Sequence, residues 1–245
     1  MSDETTSGAP WRVPMPAIWR AWAGFVRRPQ LPAERTRFGW RAIGEVGWLL
    51  SLYIGFALPL AAALTALAKR TGITTPDFDV LTRKGVLFTL LVGAVALPAF
   101  EETVSRGWLD GRRRHLWLVG VLIAALASLA AVRMRIPEHP LLLAAMALGW
   151  AAVALIAGIR ASRAVQGWFA RAFPALFYVQ AALFALAHLS NYDLENPLML
   201  LPFVVPQFIG ALIFGFARVR FGVWANIALH GLGNALFLTM AIAGV

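Results

Sequence analysis

Charged residues are scarce in this sequence, and cysteine is absent altogether. Only 14% of the 245 residues are charged, whereas 60% are hydrophobic and the mean hydropathy is +0.70. A soluble globular domain carries about 25% charged residues, so this composition predicts an integral membrane protein. Without cysteine the chain has no disulfide, no thiolate metal site and no cysteine nucleophile. Residues 1–40 also lack a short apolar core followed by a small-residue cleavage site, so we expect no cleaved signal peptide.

The small amount of charge is mostly positive, with a formal net charge of +10. The arginines cluster at the ends of apolar segments, which is how membrane proteins set their orientation. We therefore expect the partner of these charges to be the lipid bilayer, and we expect no nucleic-acid partner.

Long apolar segments occupy most of the chain after residue 41. Each is close to the ~20 residues that a helix needs to cross a bilayer. The sequence therefore predicts an all-α, polytopic transmembrane bundle of about seven spans. The predicted spans are 42–68, 85–109, 116–132, 141–159, 173–190, 197–217 and 222–243.

The N-terminal region differs from the rest, and we divide the chain there. Residues 1–41 form a predicted cytoplasmic or interfacial segment, and residues 42–245 form a single transmembrane domain. Residues 1–13 are predicted to be unstructured. Residues 15–28 place apolar side chains at helical spacing beside arginines, which favours an amphipathic helix in the headgroup region over a plain linker.

The distribution of Lys and Arg predicts the orientation. With the N-terminus inside, 16 of the 22 basic residues fall on the inner side of the spans. Basic residues favour the cytoplasmic side, so we expect a cytoplasmic N-terminus. High arginine and alanine content with only two lysines is associated with GC-rich bacterial genomes, and the bacterial inner membrane is the expected location.

Few titratable residues lie within the predicted spans. The acids are Glu45, Glu101 and Glu102, and the histidines are His188 and His230. Glu45 lies near a helix end and can reach the interface. A charged side chain at the bilayer centre costs about 2.5–3.5 kcal/mol on insertion scales and is usually retained for function. The other four residues therefore predict an intramembrane functional site.

Helical spacing predicts which of these side chains share a face. Glu102 and Arg106 are separated by four residues and can pair. Glu101 points about 100° away from Glu102, so it can face a cavity while its neighbour is neutralised. Two further pairs have the four-residue spacing: Phe184 with His188, and His230 with Asn234.

Three short motifs contain these residues: EETVSR at 101–106, FALAH at 184–188 and HGLGN at 230–234. In this order they resemble the EExxxR, FxxxH and HxxxN motifs of the CAAX-protease and bacteriocin-processing family of intramembrane proteases. The resemblance extends over about residues 85–243, which we take as the motif core. It implies an endopeptidase whose substrate is a membrane-associated protein or peptide.

The resemblance also implies roles for individual residues. Glu101 and His188 would hold a water and remove its proton, and His230 and Asn234 would donate hydrogen bonds to the developing oxyanion. In support of these four, Glu102 and Arg106 would pair and set the local geometry, and Phe184 would pack beneath His188.

One feature departs from the family pattern. The first two motifs are close in sequence in family members, whereas 87 positions separate Glu101 from His188 here. The intervening stretch predicts two extra spans, 116–132 and 141–159. An even number of spans preserves the relative orientation of the motifs, so we expect the core to survive and the substrate cleft to change shape.

Alternatives remain open for the chemistry and the function. Glu101, His188 and His230 form a set that could bind zinc, but the HExxH spacing is absent, and we predict activity without a metal or other cofactor. A non-catalytic membrane scaffold, a bacteriocin self-immunity protein of the same fold and a proton-coupled transporter are the alternative functions. Intramembrane Glu and His suit a proton relay, but the internal repeat typical of carriers is not found.

Overall fold

The computed structural model describes residues 16–73, 83–135, 139–162, 164–192 and 197–243. The predicted unstructured residues 1–13 lie outside this part of the chain. The same holds for residues 193–196, which lie between the predicted spans 173–190 and 197–217.

Eight main helices make up the described part of the chain. We number them α1 Ala17–Arg27, α2 Trp40–Thr71, α3 Val86–Arg106, α4 Arg113–Arg135, α5 Pro140–Arg160, α6 Gly167–Ala187, α7 Val205–Phe221 and α8 Val223–Ala243. Helix α3 contains a π-helical segment, Leu91–Ala96. A 3₁₀ turn, His188–Asn191, follows α6, and two short turns, Pro197–Leu200 and Leu201–Val204, lead into α7.

Helices α2 to α8 account for seven candidate membrane spans, with α7 counted together with the turns before it. Each span is at least 20 residues long and strongly apolar. The predicted all-α polytopic bundle of seven spans is therefore confirmed, and the protein is an integral membrane protein. The predicted boundaries are shifted by a few residues, because the basic residues at several ends continue the helices into the interface region.

Helix α7 lies at the centre of the bundle. Every residue from Gly210 to Val219 is buried, and α7 packs against α2, α6 and α8. A helix that is apolar on all sides is one that protein covers on all sides. Helix α7 is therefore the common packing surface of α2, α6 and α8, and the last two of these carry the second and third motifs.

The predicted N-terminal amphipathic helix is present as α1. Its apolar face packs against the protein's own helices: Ile18 is buried, and the ring of Phe25 lies 5.1 Å from the rings of Phe177 and Phe216. The indole of Trp19 donates a hydrogen bond of 2.6 Å to the carbonyl oxygen of Trp48 on α2. These contacts attach α1 to one end of the bundle.

The two extra spans form a peripheral hairpin. Helix α5 packs mainly against α4, and no residue of its apolar stretch is buried inside the protein. The indole of Trp150 on α5 donates to the hydroxyl of Ser128 on α4 at 2.8 Å. The insertion thus lies beside the core and leaves the packing of α3, α6 and α8 intact.

The structure selects positions for testing the orientation. Gly111 looks suitable as a labelling site because it lies in a short loop, but it has a left-handed φ of +66°, and an added Cβ would lie 2.3 Å from the ring of Phe169. Thr71 and Ala164 are exposed and lie at opposite ends of the bundle.

We predict that a cysteine at Thr71 labels with an impermeant maleimide from outside intact cells, and that one at Ala164 labels only after the inner face is opened. The reason is the excess of basic residues on the predicted inner side. The chain without cysteine is the blank for background labelling. The reverse pattern of labelling would overturn the predicted orientation.

Candidate active site

A buried carboxylate, that of Glu102, connects two of the motif-bearing helices. Its side chain is 0% exposed and forms an ion pair with Arg106 one turn along α3. Two residues of α8 bind the same carboxylate: the amide Nδ2 of Asn226 donates to Oε2 at 2.6 Å, and Nδ1 of His230 lies 2.9 Å from Oε1. The predicted Glu102–Arg106 pair is present, and it is one part of a larger network.

Aromatic rings enclose the Arg106 guanidinium. Its Cζ lies 4.1 Å from the ring centroid of Phe184 on α6 and 5.7 Å from that of Phe214 on α7. A desolvated cation over an aromatic face is attracted by about 2 kcal/mol or more. Arg106 therefore contacts α6 and α7 while its charge neutralises Glu102.

The environment of His230 determines which ring nitrogen carries hydrogen. Glu102 is an ionised partner of Arg106, and a carboxylate in that state only accepts hydrogen bonds, so Nδ1 of His230 must be the donor. The other nitrogen, Nε2, lies 3.7 Å from Oε2 of Glu101. The ring is held further by stacking on Phe214, with centroids 5.4 Å apart. His230 thus presents Nε2 to Glu101, as an acceptor when neutral and as a donor when protonated.

Helices α3 and α8 approach each other unusually closely at the π-helical segment. An added Cβ on Gly231 would lie 2.5 Å from the carbonyl oxygen of Ala94, so only glycine allows this approach. The amide of Asn234 donates to the carbonyl oxygen of Gly93 at 2.9 Å. A π-helical turn disrupts the regular backbone ladder, and Asn234 satisfies one of the carbonyl groups in it. One of the two amide hydrogens of Asn234 is used in this way.

Glu101 faces a cavity, as its position next to Glu102 predicts. The cavity has a volume of about 580 Å³ and is bordered by α3, α4 and α6 with the turn that follows α6. The side chain of Glu101 is 36% exposed, whereas that of Glu102 is fully buried. The neighbouring Ser105 also borders the cavity, but its hydroxyl donates to the backbone oxygen of Glu101 at 2.6 Å.

His188 lies at the end of α6 and borders the same cavity. Its Nδ1 is 2.8 Å from the carbonyl oxygen of Phe184, and the two rings are 4.7 Å apart. A carbonyl oxygen can only accept, so Nδ1 carries the hydrogen, and Nε2 of the neutral ring is left as an acceptor. Phe184 thus supports His188, as predicted from their spacing.

The structure brings most of the predicted site residues together. Glu101 and His188 share the cavity, and His230 lies beside Glu101. Within the described residues, no ion pair joins His188 to Glu101, and no group of three His, Cys, Asp or Glu side chains has the arrangement of a metal site. The donor set that zinc would need, Glu101 with His188 and His230, is not gathered in this arrangement.

A second charged cluster anchors the C-terminal end of α3. Arg218 on α7 donates from Nε to the carbonyl oxygen of Arg106 at 3.0 Å and from Nη2 to that of Gly107 at 2.5 Å. The same guanidinium lies 3.2 Å from Asp110, which also binds Arg35 at 2.5 Å and His115 at 2.6 Å. These contacts hold the end of the helix that carries Glu101 and Glu102. His115 itself lies in the first turn of α4.

Sequence reasoning missed several contributors to the site. Asn226 lies four residues before His230 and eight before Asn234. The four-residue spacing that pairs His230 with Asn234 therefore also places Asn226 on the same helix face. Arg218 is one of the basic residues on the predicted inner side, where an exposed side chain is expected, yet it is buried and only 2% exposed. The stacking of Phe214 on His230 and the π-helical segment carry no signal in the sequence that we can identify.

The fold and this centre define a polytopic helical membrane protein with a carboxylate–histidine site inside the bundle. Residues 159–236 match the family model described as type II CAAX prenyl endopeptidase, Rce1-like. This match supports the resemblance of the motifs to the CAAX-protease and bacteriocin-processing family, and at the level of the family it supports a CAAX-protease-like intramembrane endopeptidase. The match includes the second and third motifs. No curated protein and no solved structure matches the chain.

We predict that Asp110 stabilises the fold in a pH-dependent way. Burial raises the pKa of this carboxyl, but the hydrogen bond with His115 and the charges of Arg218, His115 and Arg35 outweigh burial and hold it well below its usual value. A lowered pKa contributes stability that is complete above the unfolded value of about 3.9 and is lost as the pH falls below it. Asp110→Asn should cost about 3–5 kcal/mol at pH 7, the usual cost of breaking a buried pair.

The measurement is thermal unfolding of the detergent-solubilised protein between pH 7 and pH 3. The difference between the original chain and Asp110→Asn should stay constant down to about pH 4 and shrink below it. Glu34→Gln, at an exposed carboxylate, is the control and should change little. If the stability difference between the original chain and Asp110→Asn instead grows as the pH falls, the lowered pKa of Asp110 is contradicted.

Proposed function

We propose that the protein hydrolyses a peptide bond of a membrane-associated protein or peptide with a water activated by Glu101 and His188. The observation that supports this most is that these two side chains border one cavity within the bundle while Glu102 is sequestered beneath it. Two adjacent carboxylates thereby have separate tasks: one is free to exchange a proton, and the other is fully hydrogen-bonded.

The tautomer of His188 suits it to hold the water. With its Nδ1 hydrogen on the carbonyl oxygen of Phe184, the Nε2 lone pair can accept one hydrogen of a water, and Glu101 can accept the other. Glu101 then takes the proton as the water oxygen attacks the substrate carbonyl carbon. The same proton passes to the amine as the carbon–nitrogen bond breaks, which returns Glu101 to its starting state.

His230 and Asn234 are suited to stabilise the oxyanion under one condition. Because Glu102 holds the Nδ1 hydrogen of His230, the ring donates from Nε2 only when it is protonated on both nitrogens. We infer that His230 acts as an imidazolium whose charge is balanced by Glu101, 3.7 Å from its Nε2, because Arg106 already neutralises Glu102. Asn234 would donate its second amide hydrogen, since the first is bound to Gly93.

We predict that Glu101→Gln and His188→Ala each lower proteolysis by at least ~10²–10⁴, the usual contribution of a general base. Asn234→Ala should lower it by about 10²–10³, the cost of one oxyanion donor. The measurement is the set of new peptide termini in membranes of cells that carry each variant, followed by rates with purified protein and the peptides found in this way.

Glu45→Gln is the matched control, because Glu45 is a carboxylate within a span but pairs with Arg41 and Arg220 at the helix end. It should retain full activity. Unchanged cleavage by Glu101→Gln would refute the mechanism. The absence of any difference between membranes with and without the intact protein would instead favour a scaffold or immunity protein.

We also predict that the activity needs no metal. Glu101, His188 and His230 are not arranged as a coordination shell among the described residues. Purified protein should keep its rate after exhaustive chelation, with its metal content measured alongside. Stoichiometric zinc, with activity lost on chelation and restored by zinc, would make Glu101, His188 and His230 ligands.

A further inference from the structure

One polar side chain beside the cavity has no role in the mechanism above. Gln180 lies on α6 and borders the cavity, and it is only 4% exposed. Neither Oε1 nor Nε2 of its amide has a hydrogen-bond partner in the described part of the chain. A buried polar group without a hydrogen-bond partner destabilises the folded state, so this amide is an unfavourable feature of the free protein.

The position of Gln180 relates it to the catalytic residues. Gln180, Phe184 and His188 are spaced by four residues along α6, so they follow one face of the helix. Eight residues of helix span roughly 12 Å. An extended peptide covers that distance in about four residues. A peptide whose scissile bond lies beside His188 would therefore have its backbone near Gln180 three or four residues away.

The remaining lining of the cavity indicates what kind of peptide fits. Apart from the catalytic and polar groups, most of it is large and apolar: Phe100, Val104, Trp108, Ile123, Leu183 and Phe184. A side-chain amide offers one acceptor and two donors, the complement of the N–H and C=O of a peptide group. Extended peptides are commonly held by backbone hydrogen bonds, with apolar pockets for their side chains.

We propose that Gln180 binds the substrate backbone, pairing its amide with a peptide group three or four residues from the scissile bond of an extended, apolar segment. This rests on the proposed function, whose site it deepens. When the flexible side chain of Gln180 rotates toward the substrate, its Oε1 and Nε2, which have no partners in the described part of the free protein, each form a hydrogen bond. Substrate binding therefore satisfies a buried amide that is unsatisfied in the free protein. Gln180 thus determines specificity for an extended backbone, and the apolar wall determines it for the side chains.

The charge of the cavity determines the probe. Glu101 is the one acidic residue among the lining residues that the structure describes, and no Lys or Arg is among them. A lining that is mostly apolar favours a peptide without charged termini, both in the intact chain and in variants of Glu101. The probe is therefore a decapeptide of leucine and alanine with a fluorescein at its N-terminus and an amide at its C-terminus. Its binding is measured by fluorescence anisotropy with the full chain carrying Glu101→Gln, so that no turnover occurs.

The test combines Gln180→Met with a scan in which one peptide bond at a time is replaced by an ester. An ester lacks the N–H donor and is a weaker acceptor. We expect Gln180→Met to weaken binding of the all-amide peptide about tenfold, the scale of one or two neutral hydrogen bonds. We expect one or two adjacent esters to have a similar effect with Gln180 present and no further effect in Gln180→Met. Gln207→Met, at a glutamine in α7 that does not border the cavity, is the matched control.

The outcomes separate this inference from the proposed function. Gln180 does not bind the substrate backbone if every ester peptide binds within about twofold of the all-amide peptide. The same conclusion follows if Gln180→Met and Gln207→Met weaken binding equally. In either case the proposed proteolysis by the intact chain would be unaffected. If the coupling is present but the intact chain, with Glu101 in place, cleaves no peptide, the peptide site stands and the protease assignment fails. Should Gln180→Met not fold, Gln180→Asn takes its place, because it keeps the amide but shortens its reach by one methylene.

Discussion

The buried carboxylate of Glu102 is the constraint on which the site depends. A charge at this depth is tolerated only with partners, and its three donors come from two helices: Arg106 on α3, and Asn226 and His230 on α8. Removing any donor would leave part of a charge unpaired in a low-dielectric interior, where a broken pair costs several kcal/mol. The network therefore fixes the register of α3 against α8, and with it the distance from Glu101 to His230. It also fixes the tautomer of His230, because the carboxylate can only accept.

Features within a single helix could be predicted from the sequence. The seven spans follow from apolar length, and the pairs Glu102–Arg106 and Phe184–His188 follow from the helical repeat. The exposure of Glu101 to a cavity follows from the 100° rotation between neighbouring residues. The preserved orientation of the motifs on either side of the two extra spans follows from the even number of these spans. Each of these inferences needs only the geometry of one helix or the side of the membrane on which it ends.

Contacts between helices could not be predicted in this way. Whether His230 meets Glu102 or Glu101 depends on the register of α8 along α3. The close approach of Gly231 to the backbone of Ala94 permits the register that the Glu102 network fixes. The π-helical segment that allows this contact has an ordinary apolar sequence. Arg218 has the position of an inner-face charge, but it binds the carbonyl groups at the end of α3. A count of charges cannot separate an arginine in the headgroup region from one that caps a helix.

The arrangement separates the groups that we propose to perform the chemistry from the groups that shape the cavity. Glu101, His188 and His230 lie on α3, at the end of α6 and on α8, and these elements are held by the Glu102 network and by the rings around Arg106. Ile123 borders the cavity from α4, whose hairpin with α5 lies outside that network. A change in the hairpin can therefore alter the width of the cavity without disturbing a hydrogen bond of the carboxylate. The core helices must keep their positions because the buried charge of Glu102 needs its partners, whereas no described residue of the hairpin binds that charge. We therefore infer that the inserted spans influence substrate choice and leave the proposed hydrolytic centre unchanged.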